Sequence, residues 1–439
     1  MIAYAFRTAL LSMKRSKVLT TLMIVSLAVG IGACMTTLTV VRALSGDPLP
    51  GKSQEIFYAQ IDVNPLSKGQ EPFDVLDYRT AHDLWSAKVA QQQTMVASNT
   101  VKISSEASGS RPLMKEMLST TADFFPMFNV PFLYGRAWND EDDERRSRVA
   151  VISSDLNRQI FNGENSVGRF IRVNNESLEI VGVLERWRPS PAFYKIRGGR
   201  FSAGNTNGFY SRPDDVYVPF GTSLDVNPRG FQHFTCWATP EIPGRIEDEP
   251  CVSVGLWVYL ASPERRQEFE QFMDNYSSEQ KSIGRIEYAN NNRLRSLTQW
   301  LDFNSVVPSD VKIQSVIALA FLIICIANAI GLLLAKFLKN SNEIGIRRAL
   351  GATRADIVMQ CLAEAVVVGV GGGIGGLILA LVGVWLVRLQ KLTYSDLVYV
   401  DVPMFVGTFV LAMFASLLAA AYPSVRASMV QPAVQIRLS

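Results

Sequence analysis

Residues 46–53 have the sequence GDPLPGKS, which matches the phosphate-loop pattern G-x-x-x-x-G-K-[ST] of nucleotide-binding proteins. A working phosphate loop follows a β-strand and binds phosphates through its backbone N–H groups. Here the segment follows a long apolar run, and Pro48 and Pro50 have no N–H to donate. We therefore interpret the match as a coincidence. We expect this chain to bind no cofactor and to hydrolyse no ATP itself.

The remaining residue types that could support catalysis or metal binding are few and scattered. The two histidines, His82 and His233, stand apart and lack a metal-ligand spacing such as HExxH. Residues 140–144 have the sequence DEDDE, which is typical of a solvated turn or a helix start. The pattern predicts neither a catalytic residue nor a metal site.

Two of the five cysteines, Cys236 and Cys251, lie in the long polar part of the chain. If this part lies in an oxidising compartment, a disulfide between them would add about 3 kcal/mol to stability for a loop of this length. Two separate thiols are the alternative that the sequence leaves open. We favour the disulfide.

Four uncharged runs determine how the chain is organised. Each has at least the roughly 20 residues that a helix needs to cross a bilayer, and only a helix satisfies its own backbone there. We predict a membrane protein with four transmembrane α-helices in a 1+3 arrangement. A large α+β extracytoplasmic domain, residues 42–314, is inserted between helices 1 and 2. The predicted spans are residues 18–41, 315–335, 365–387 and 402–422.

The distribution of charge predicts the orientation. The chain has 43 Lys+Arg and 40 Asp+Glu, a net charge of +3 that argues against nucleic-acid binding by bulk basicity. Basic residues predominate in the N-terminal segment, in the loop after the second span and in the tail, which places these three segments in the cytoplasm. We predict that both termini are cytoplasmic. The cytoplasmic segments are an interfacial amphipathic helix at residues 1–17, a coupling loop at 336–364 and a tail at 423–439.

The inserted domain shows alternating strand-like and helix-like patterns. Apolar β-branched runs predict strands, for example CVSVGLWVYL at residues 251–260. Residues 73–92 and 262–280 are helix-like, and the second begins with a Ser-Pro-Glu start signal.

The third span contains a group of glycines at GxxxG spacing, which lets helices approach closely. We predict a role in helix packing, and a moving hinge is the alternative. The group comprises Gly369, Gly371, Gly372, Gly373, Gly375 and Gly376.

The coupling loop is the most informative short segment. Its charge pattern predicts a short helix that stops at a glycine, followed by a capping box, Thr353-x-x-Asp356, that opens the next span. Such a helix is suited to transmitting force from a cytoplasmic partner to the spans, and a plain basic loop that follows the orientation rule is the alternative. The predicted coupling residues are Glu343, Ile344, Gly345, Ile346, Arg347, Arg348, Ala349, Leu350 and Gly351.

These segments resemble the MacB/FtsX-type ABC transporter permeases. The loop sequence NEIGIRRALGATRADIVMQCLAEA is similar to the family's pattern E-I-G-x-R-R-A-L-G-A followed by E-A. Residues 119–184 resemble the MacB-like periplasmic core domain in phrases such as FF, GR and IVGV. The tail YPSVRA…QPA also resembles the family's ending.

The resemblance implies a permease without its own ATPase site. The implied partners are a separate ABC ATPase that binds ATP and Mg, a second permease copy or a related permease, and in MacB-like exporters a periplasmic adaptor and an outer-membrane channel. The expected function is mechanotransmission, in which ATP hydrolysis drives extracytoplasmic export of a peptide, antimicrobial or similar cargo. The alternatives are FtsX-like control of extracytoplasmic enzymes and lipoprotein release. The sequence leaves the cargo and the choice between homodimer and heterodimer open.

Overall fold

The computed structural model describes residue 12 and residues 15–104, 112–202, 207–247, 250–307, 309–390 and 393–429. The chain divides into two compact units. We call Met1–Ser45 with Val307–Ser439 the membrane unit, and Gly46–Val306 the ectodomain. Most of the interfacial helix predicted at residues 1–17 lies outside the described residues, as do residues 430–439 of the predicted tail.

Helices and strands alternate through the ectodomain. In the membrane unit, the elements that the structure describes are all helices. The helices are α1 (Lys17–Ser45), α2 (Tyr78–Ser86), α3 (Phe124–Met127), α4 (Asp140–Glu144), α5 (Ser154–Phe161), α6 (Phe220–Val226), α7 (Pro263–Ser282), α8 (Leu297–Phe303), α9 (Ser309–Lys339), α10 (Ser341–Ala349), α11 (Arg354–Leu389) and α12 (Val402–Ser428). The strands are β1 (Ile56–Gln60), β2 (Gln92–Ser104), β3 (Leu113–Thr120), β4 (Phe132–Gly135), β5 (Val149–Ile152), β6 (Phe170–Val173), β7 (Glu176–Leu184), β8 (Val216–Pro219), β9 (Thr235–Cys236), β10 (Cys251–Val252), β11 (Gly255–Tyr259) and β12 (Arg293–Ser296).

Four helices, α1, α9, α11 and α12, are long and apolar enough to cross a membrane. Each contains one of the uncharged runs and extends past it, because a helix continues into the interface where charged side chains are hydrated. The predicted coupling loop, residues 336–364, is therefore mostly helical: its first residues complete α9 and its last residues begin α11.

The glycines of α11 lie where neighbouring helices approach most closely. A Cβ added at Gly376 would lie 2.8 Å from Cγ2 of Ile31, and one at Gly375 would lie 2.9 Å from Cβ of Ala28, both on α1. A Cβ at Gly373 would lie 3.1 Å from the Phe409 ring on α12. Since ordinary Cβ contacts are longer than these, α11 packs through its glycines against α1 on one side and α12 on the other.

The ectodomain is built on a mixed ten-stranded sheet. The strand order is β12-β1-β11-β2-β3-β8-β5-β7-β4, and β6 pairs with both β2 and β7. Most pairs are antiparallel, whereas β3 pairs parallel with β8 and β5 pairs parallel with β7. The parallel pairs require long connections, and α3 to α5 lie within those connections.

Two apolar cores stabilise this sheet. One core contains Leu256 and Val258 of β11 with Phe269 and Met273 of α7. The other contains Ala150 and Ile152 of β5 together with buried residues of β6, β7, β8 and α5. The ectodomain therefore has two lobes that share one sheet, with β2 and β3 between them.

Two predicted elements differ from the structure. The run CVSVGLWVYL forms two strands, β10 and β11, because the chain leaves one sheet and enters another between them. The helix predicted at residues 73–92 is only α2, since the Asp77 side chain accepts the N–H of Thr80 and starts the helix there, while β2 begins at Gln92. The helix predicted from residue 262 is α7, capped by Ser262 with Pro263 in its first turn.

Candidate functional site

The candidate site is the loop helix α10 with the ends of the long helices that flank it. Glu343 lies in its first turn, and Arg347 and Arg348 lie in its last turn, as the helix dipole favours. Gly351 has φ +102°, a left-handed conformation that glycine adopts without strain, and it ends the helix. The capping box predicted at Thr353 and Asp356 is confirmed at the start of α11.

Arg347 connects α10 to α11. Its guanidinium donates to Oε1 of Gln360 at 2.7 Å and to Oε1 of Glu343 at 2.6 Å. The first bond crosses between helices, and the second lies within α10 one turn away. Arg347 is half-buried, so it holds α10 against α11 and leaves little of its charge exposed.

Arg348 connects α10 to a different helix. Its Nη1 donates to the carbonyl oxygen of Ser428, the last residue of α12, at 3.1 Å. Glu343 also lies 3.3 Å from Arg15, but both of those side chains are well exposed, and such pairs contribute little. The two arginines thus bind α10 to the ends of two long helices.

The opposite face of α10 is apolar and exposed. Ile346 is 58% exposed and Leu350, four residues later, is 83% exposed. Leu350 is the C-cap residue of α10 and its N–H donates to the carbonyl oxygen of Ile346 at 3.0 Å, so the helical spacing continues and the two side chains form one patch. Large apolar side chains that extend from a short polar helix are typical of a surface that a partner covers.

A buried ion pair lies beside α10 and was not predicted as a pair. Nζ of Lys336, in the last turn of α9, lies 2.7 Å from Oε2 of Glu364 in α11. The two residues are 28 apart in sequence, and the tertiary fold of the membrane unit brings the end of α9 and the start of α11 together here. A cavity of about 30 Å³, room for about one water molecule, is lined by Glu364 and by Glu343, Ile344 and Arg347 of α10.

The phosphate-loop match has a different environment from a nucleotide site. Residues 46–53 form a turn directly after α1, without a preceding strand. Lys52 donates to the carbonyl oxygen of Pro126 and, at 2.7 Å, to Oδ1 of Asn129. The hydroxyl of Ser53 donates to Asp47. These groups hold the turn together instead of pointing to a ligand.

The acidic run, for which the sequence predicts a solvated turn or a helix start, begins a helix and is partly buried. It forms α4, which is capped by Asn139. Asp143 is only 6% exposed and accepts hydrogen bonds from the N–H of Ala122 at 2.7 Å and from Nε1 of Trp138 at 2.9 Å. Burial raises the pKa of Asp143 to about 7 against the opposing effect of these bonds.

Cys236 and Cys251 are joined by a disulfide between the short strands β9 and β10. With His233 they place the ligand atoms of three residues of metal-binding type, one histidine and two cysteines, within 4.8 Å of one another. The disulfide removes the thiolates that a metal would need, and Nδ1 of His233 lies 3.0 Å from Oγ of Ser253. His82 lies near Ser86 in α2, far along the chain from these residues.

The sequence matches two family descriptions. Residues 20–275 match "MacB-like periplasmic core domain", and residues 315–432 match "FtsX-like permease C-terminal". The first match covers more than half of the chain, and the second covers α10 and the three long helices that follow the ectodomain. Neither matched region is an ATPase domain.

Several named proteins are similar to this chain at low identity. The macrolide export ATP-binding/permease protein MacB of Bdellovibrio bacteriovorus is 24% identical over 306 residues, which are 70% of this chain and 41% of that protein. The pyoverdine export ATP-binding/permease protein PvdT of Pseudomonas syringae is 24% identical, over 70% of this chain and 40% of that protein. The uncharacterized ABC transporter permease YvrN of Bacillus subtilis is 24% identical, over 72% of this chain and 68% of that protein. The chain thus spans about two fifths of the first two relatives.

Solved structures give a weaker likeness. The periplasmic region of MacB from Actinobacillus actinomycetemcomitans has 11% identity and a TM-score of 0.37, and it covers 60% of this chain and 98% of that structure. The extracellular domain of the transporter YknZ has a TM-score of 0.34. The assignment rests instead on the two sequence matches and the four apolar helices. The chain belongs to the ABC transporter permeases that combine a MacB-like periplasmic core domain with an FtsX-like permease domain.

Proposed function

We propose that this chain is a permease subunit that couples ATP hydrolysis by a separate ABC ATPase subunit to the export of a cargo handled outside the cytoplasm. The ATPase binds α10, and movement of α10 is transmitted through the long helices to the ectodomain. ATP and Mg are bound by the ATPase and not by this chain.

The observation that carries this proposal is the two-sided surface of α10. Ile346 and Leu350 are exposed on one side, whereas Arg347 and Arg348 bind α11 and α12 on the other. A partner that covers the apolar side would therefore move two long helices when it moves. This division refines the coupling segment predicted at 343–351: the apolar residues dock, and the arginines transmit.

The proposed orientation follows from the charges. The membrane-unit segments next to α10 carry Lys336, Lys339 and Arg354, and basic residues near span ends favour the cytoplasm. Both termini then lie on the cytoplasmic side of a bacterial inner membrane. The ectodomain lies in the periplasm or outside the cell.

A second permease copy, identical or related, is supported by Asn328. This residue lies near the middle of α9 and is exposed, and its side-chain amide has no hydrogen-bond partner among the residues that the structure describes. An amide facing hydrocarbon without a partner is costly, so it favours a helix of another subunit at this position.

The class of cargo is proposed from the relatives. The names of two relatives state that they export a macrolide and pyoverdine. We propose a peptide, antimicrobial or similar cargo for this chain. A periplasmic adaptor and an outer-membrane channel would complete the route in a bacterium with an outer membrane.

Co-purification with the cognate ATPase tests the proposal. We expect the ATPase expressed with the full chain to be captured in a stoichiometric complex. Ile346→Glu/Leu350→Glu should abolish capture, because it places carboxylates in an apolar interface. Leu66→Glu is the control, since Leu66 is 68% exposed but lies in the ectodomain. Capture of the ATPase at wild-type strength by the double variant would disprove the docking role of α10.

A second variant separates docking from transmission. Arg347→Met leaves the exposed patch in place but breaks the bond to Gln360. We expect it to capture the ATPase normally and to lose ATP-driven cargo movement in reconstituted vesicles. If the wild-type protein moves no cargo although ATP hydrolysis still changes the ectodomain, the result would favour FtsX-like control of extracytoplasmic enzymes over export.

A further inference from the structure

The ectodomain contains a cavity of about 380 Å³. None of the residues that line it was predicted from the sequence as part of a site. Its volume falls in the range of about 300–1,000 Å³ that is typical of small-molecule sites. One wall is a face of α2. Tyr78, His82 and Trp85 lie four and three residues apart and therefore share that face.

The other walls add the apolar side chains of Phe220 and Met95 to a lining that also contains polar groups, among them Asp143. The Phe220 ring stacks on Tyr78, with 5.8 Å between ring centroids and 18° between planes. Met95 and Thr121 line the cavity and are buried.

Of the described charged side chains at the rim of the cavity, two basic ones form ion pairs and one acidic one does not. Arg146 is paired with Asp225 at 3.3 Å, and Lys88 lies 3.9 Å from Asp140. Glu144 lines the same cavity and is exposed, and no lysine or arginine in the described part of the chain pairs with it. The cationic groups therefore have partners, and a carboxylate does not.

Lys88 shows what this aromatic wall can bind. Its ammonium lies 4.2 Å from the centroid of the Trp85 ring, within the range of a cation–π interaction. The lysine is exposed and attached to a flexible stem, so it can leave this position at small cost. A ligand with its own ammonium group could replace it.

We propose that this cavity binds an organic cation, an amine or quaternary ammonium group attached to a small aromatic or apolar body. The apolar body lies between Tyr78, Trp85 and Phe220. The ammonium takes the place of Lys88 over Trp85 and pairs with Glu144. The identification of such a ligand as cargo rests on the proposed function, whereas the binding itself does not.

Isothermal titration calorimetry on the full chain in lipid nanodiscs tests the site, with empty nanodiscs as the blank. Three probes of similar size differ in charge: phenethylamine is a cation, 3-phenylpropanamide is neutral and 3-phenylpropanoate is an anion. We expect the cation to bind at least about fivefold more tightly than the other two, as a cation–π contact and one carboxylate would give.

Two variants at exposed positions sharpen the test. Lys88→Ala removes the internal competitor and should tighten phenethylamine binding by about threefold or more. Glu144→Gln should weaken it by a similar factor. Lys281→Ala and Glu279→Gln change the same residue types on exposed positions of α7, away from the cavity, and should leave binding unchanged. Equal thermal unfolding midpoints establish that the variants are folded.

Three results would overturn the proposal. They are the absence of saturable phenethylamine binding up to about 10 mM, tighter binding of the anion than of the cation, and weaker cation binding by Lys88→Ala. None of these bears on the coupling function, because the titration contains no ATPase. Conversely, failure of ATPase capture with normal phenethylamine binding would count against the coupling function alone.

Discussion

Nζ of Lys336 lies 2.7 Å from Oε2 of Glu364, and the two side chains are 1% and 4% exposed. The pair joins α9 to α11, the two helices that α10 connects. A buried pair is stable only while both partners remain, because each alone would be an uncompensated charge in an apolar surrounding. The ends of α9 and α11 are thereby held together beside the proposed docking helix.

We expect Lys336→Met to destabilise the protein by about 3–5 kcal/mol, because it leaves the Glu364 carboxylate buried and unpaired. Lys336→Met/Glu364→Met should recover most of this loss. Thermal unfolding in nanodiscs measures the difference. Arg265→Met is the control: Arg265 pairs with Glu268 at 2.9 Å, but both are more than half exposed, so its loss should cost at most about 1 kcal/mol. A double variant as unstable as the single one would contradict this explanation.

Gly376→Val tests the close approach of α11 and α1. The added side chain would overlap Ile31, so we expect a loss of about 1–3 kcal/mol in unfolding free energy. Gly331→Val in α9 is the matched control, because nothing lies within 4 Å of its added Cβ. Equal midpoints of thermal unfolding for the two variants would show that the glycines of α11 are not required for packing.

Asn328→Leu tests the proposed subunit contact. Loss of an interhelical amide bond should weaken self-association by about 1 kcal/mol, or about fivefold. Energy transfer between labelled copies, measured over a series of lipid-to-protein ratios, gives the dissociation constant. Asn328→Gln keeps the amide and should associate nearly as well as wild type. Stronger association of the leucine variant would place Asn328 against lipid.

Asp143→Asn should remove a pH dependence of stability. The folded pKa is raised from 3.8 to about 7, mainly by burial, with Asp140 adding to the shift and Lys88 opposing it. The folded state therefore binds a proton more tightly than the unfolded chain, and the wild type loses stability as pH rises from about 4 to about 7. The loss is on the order of 4 kcal/mol. The measurement is the thermal unfolding midpoint of wild type and of Asp143→Asn as a function of pH. If both midpoints change with pH in the same way over this range, Asp143 is not the cause of the pH dependence.

Reduction of Cys236–Cys251 should lower stability by about 3 kcal/mol, since the disulfide closes a loop with a sequence separation of 15. Unfolding midpoints with and without dithiothreitol measure this. Cys236→Ala/Cys251→Ala should be insensitive to the reductant, because the other three cysteines, Cys34, Cys325 and Cys361, are free. A reductant effect that persists in the variant would locate the sensitive group elsewhere.

The sequence by itself determined the number of long helices, their 1+3 arrangement, the large inserted domain and the segment at 343–351. These follow from local properties: an uncharged run of 20 residues has only one stable conformation in a bilayer, and a capping box such as Thr353 with Asp356 involves residues three apart. Family membership also follows from short motifs within these segments.

Only the tertiary structure decided which side of α10 is free and which groups meet across long sequence separations. The sequence predicts Arg347 and Arg348 as coupling residues, and the structure shows that they donate to Gln360 of α11 and to the backbone of Ser428 in α12. The contact of Lys336 with Glu364 and the cavity beside Tyr78 and Phe220 bring together residues 28 or more apart. Local patterns carry no information about such contacts, because they depend on how the helices and the sheet pack.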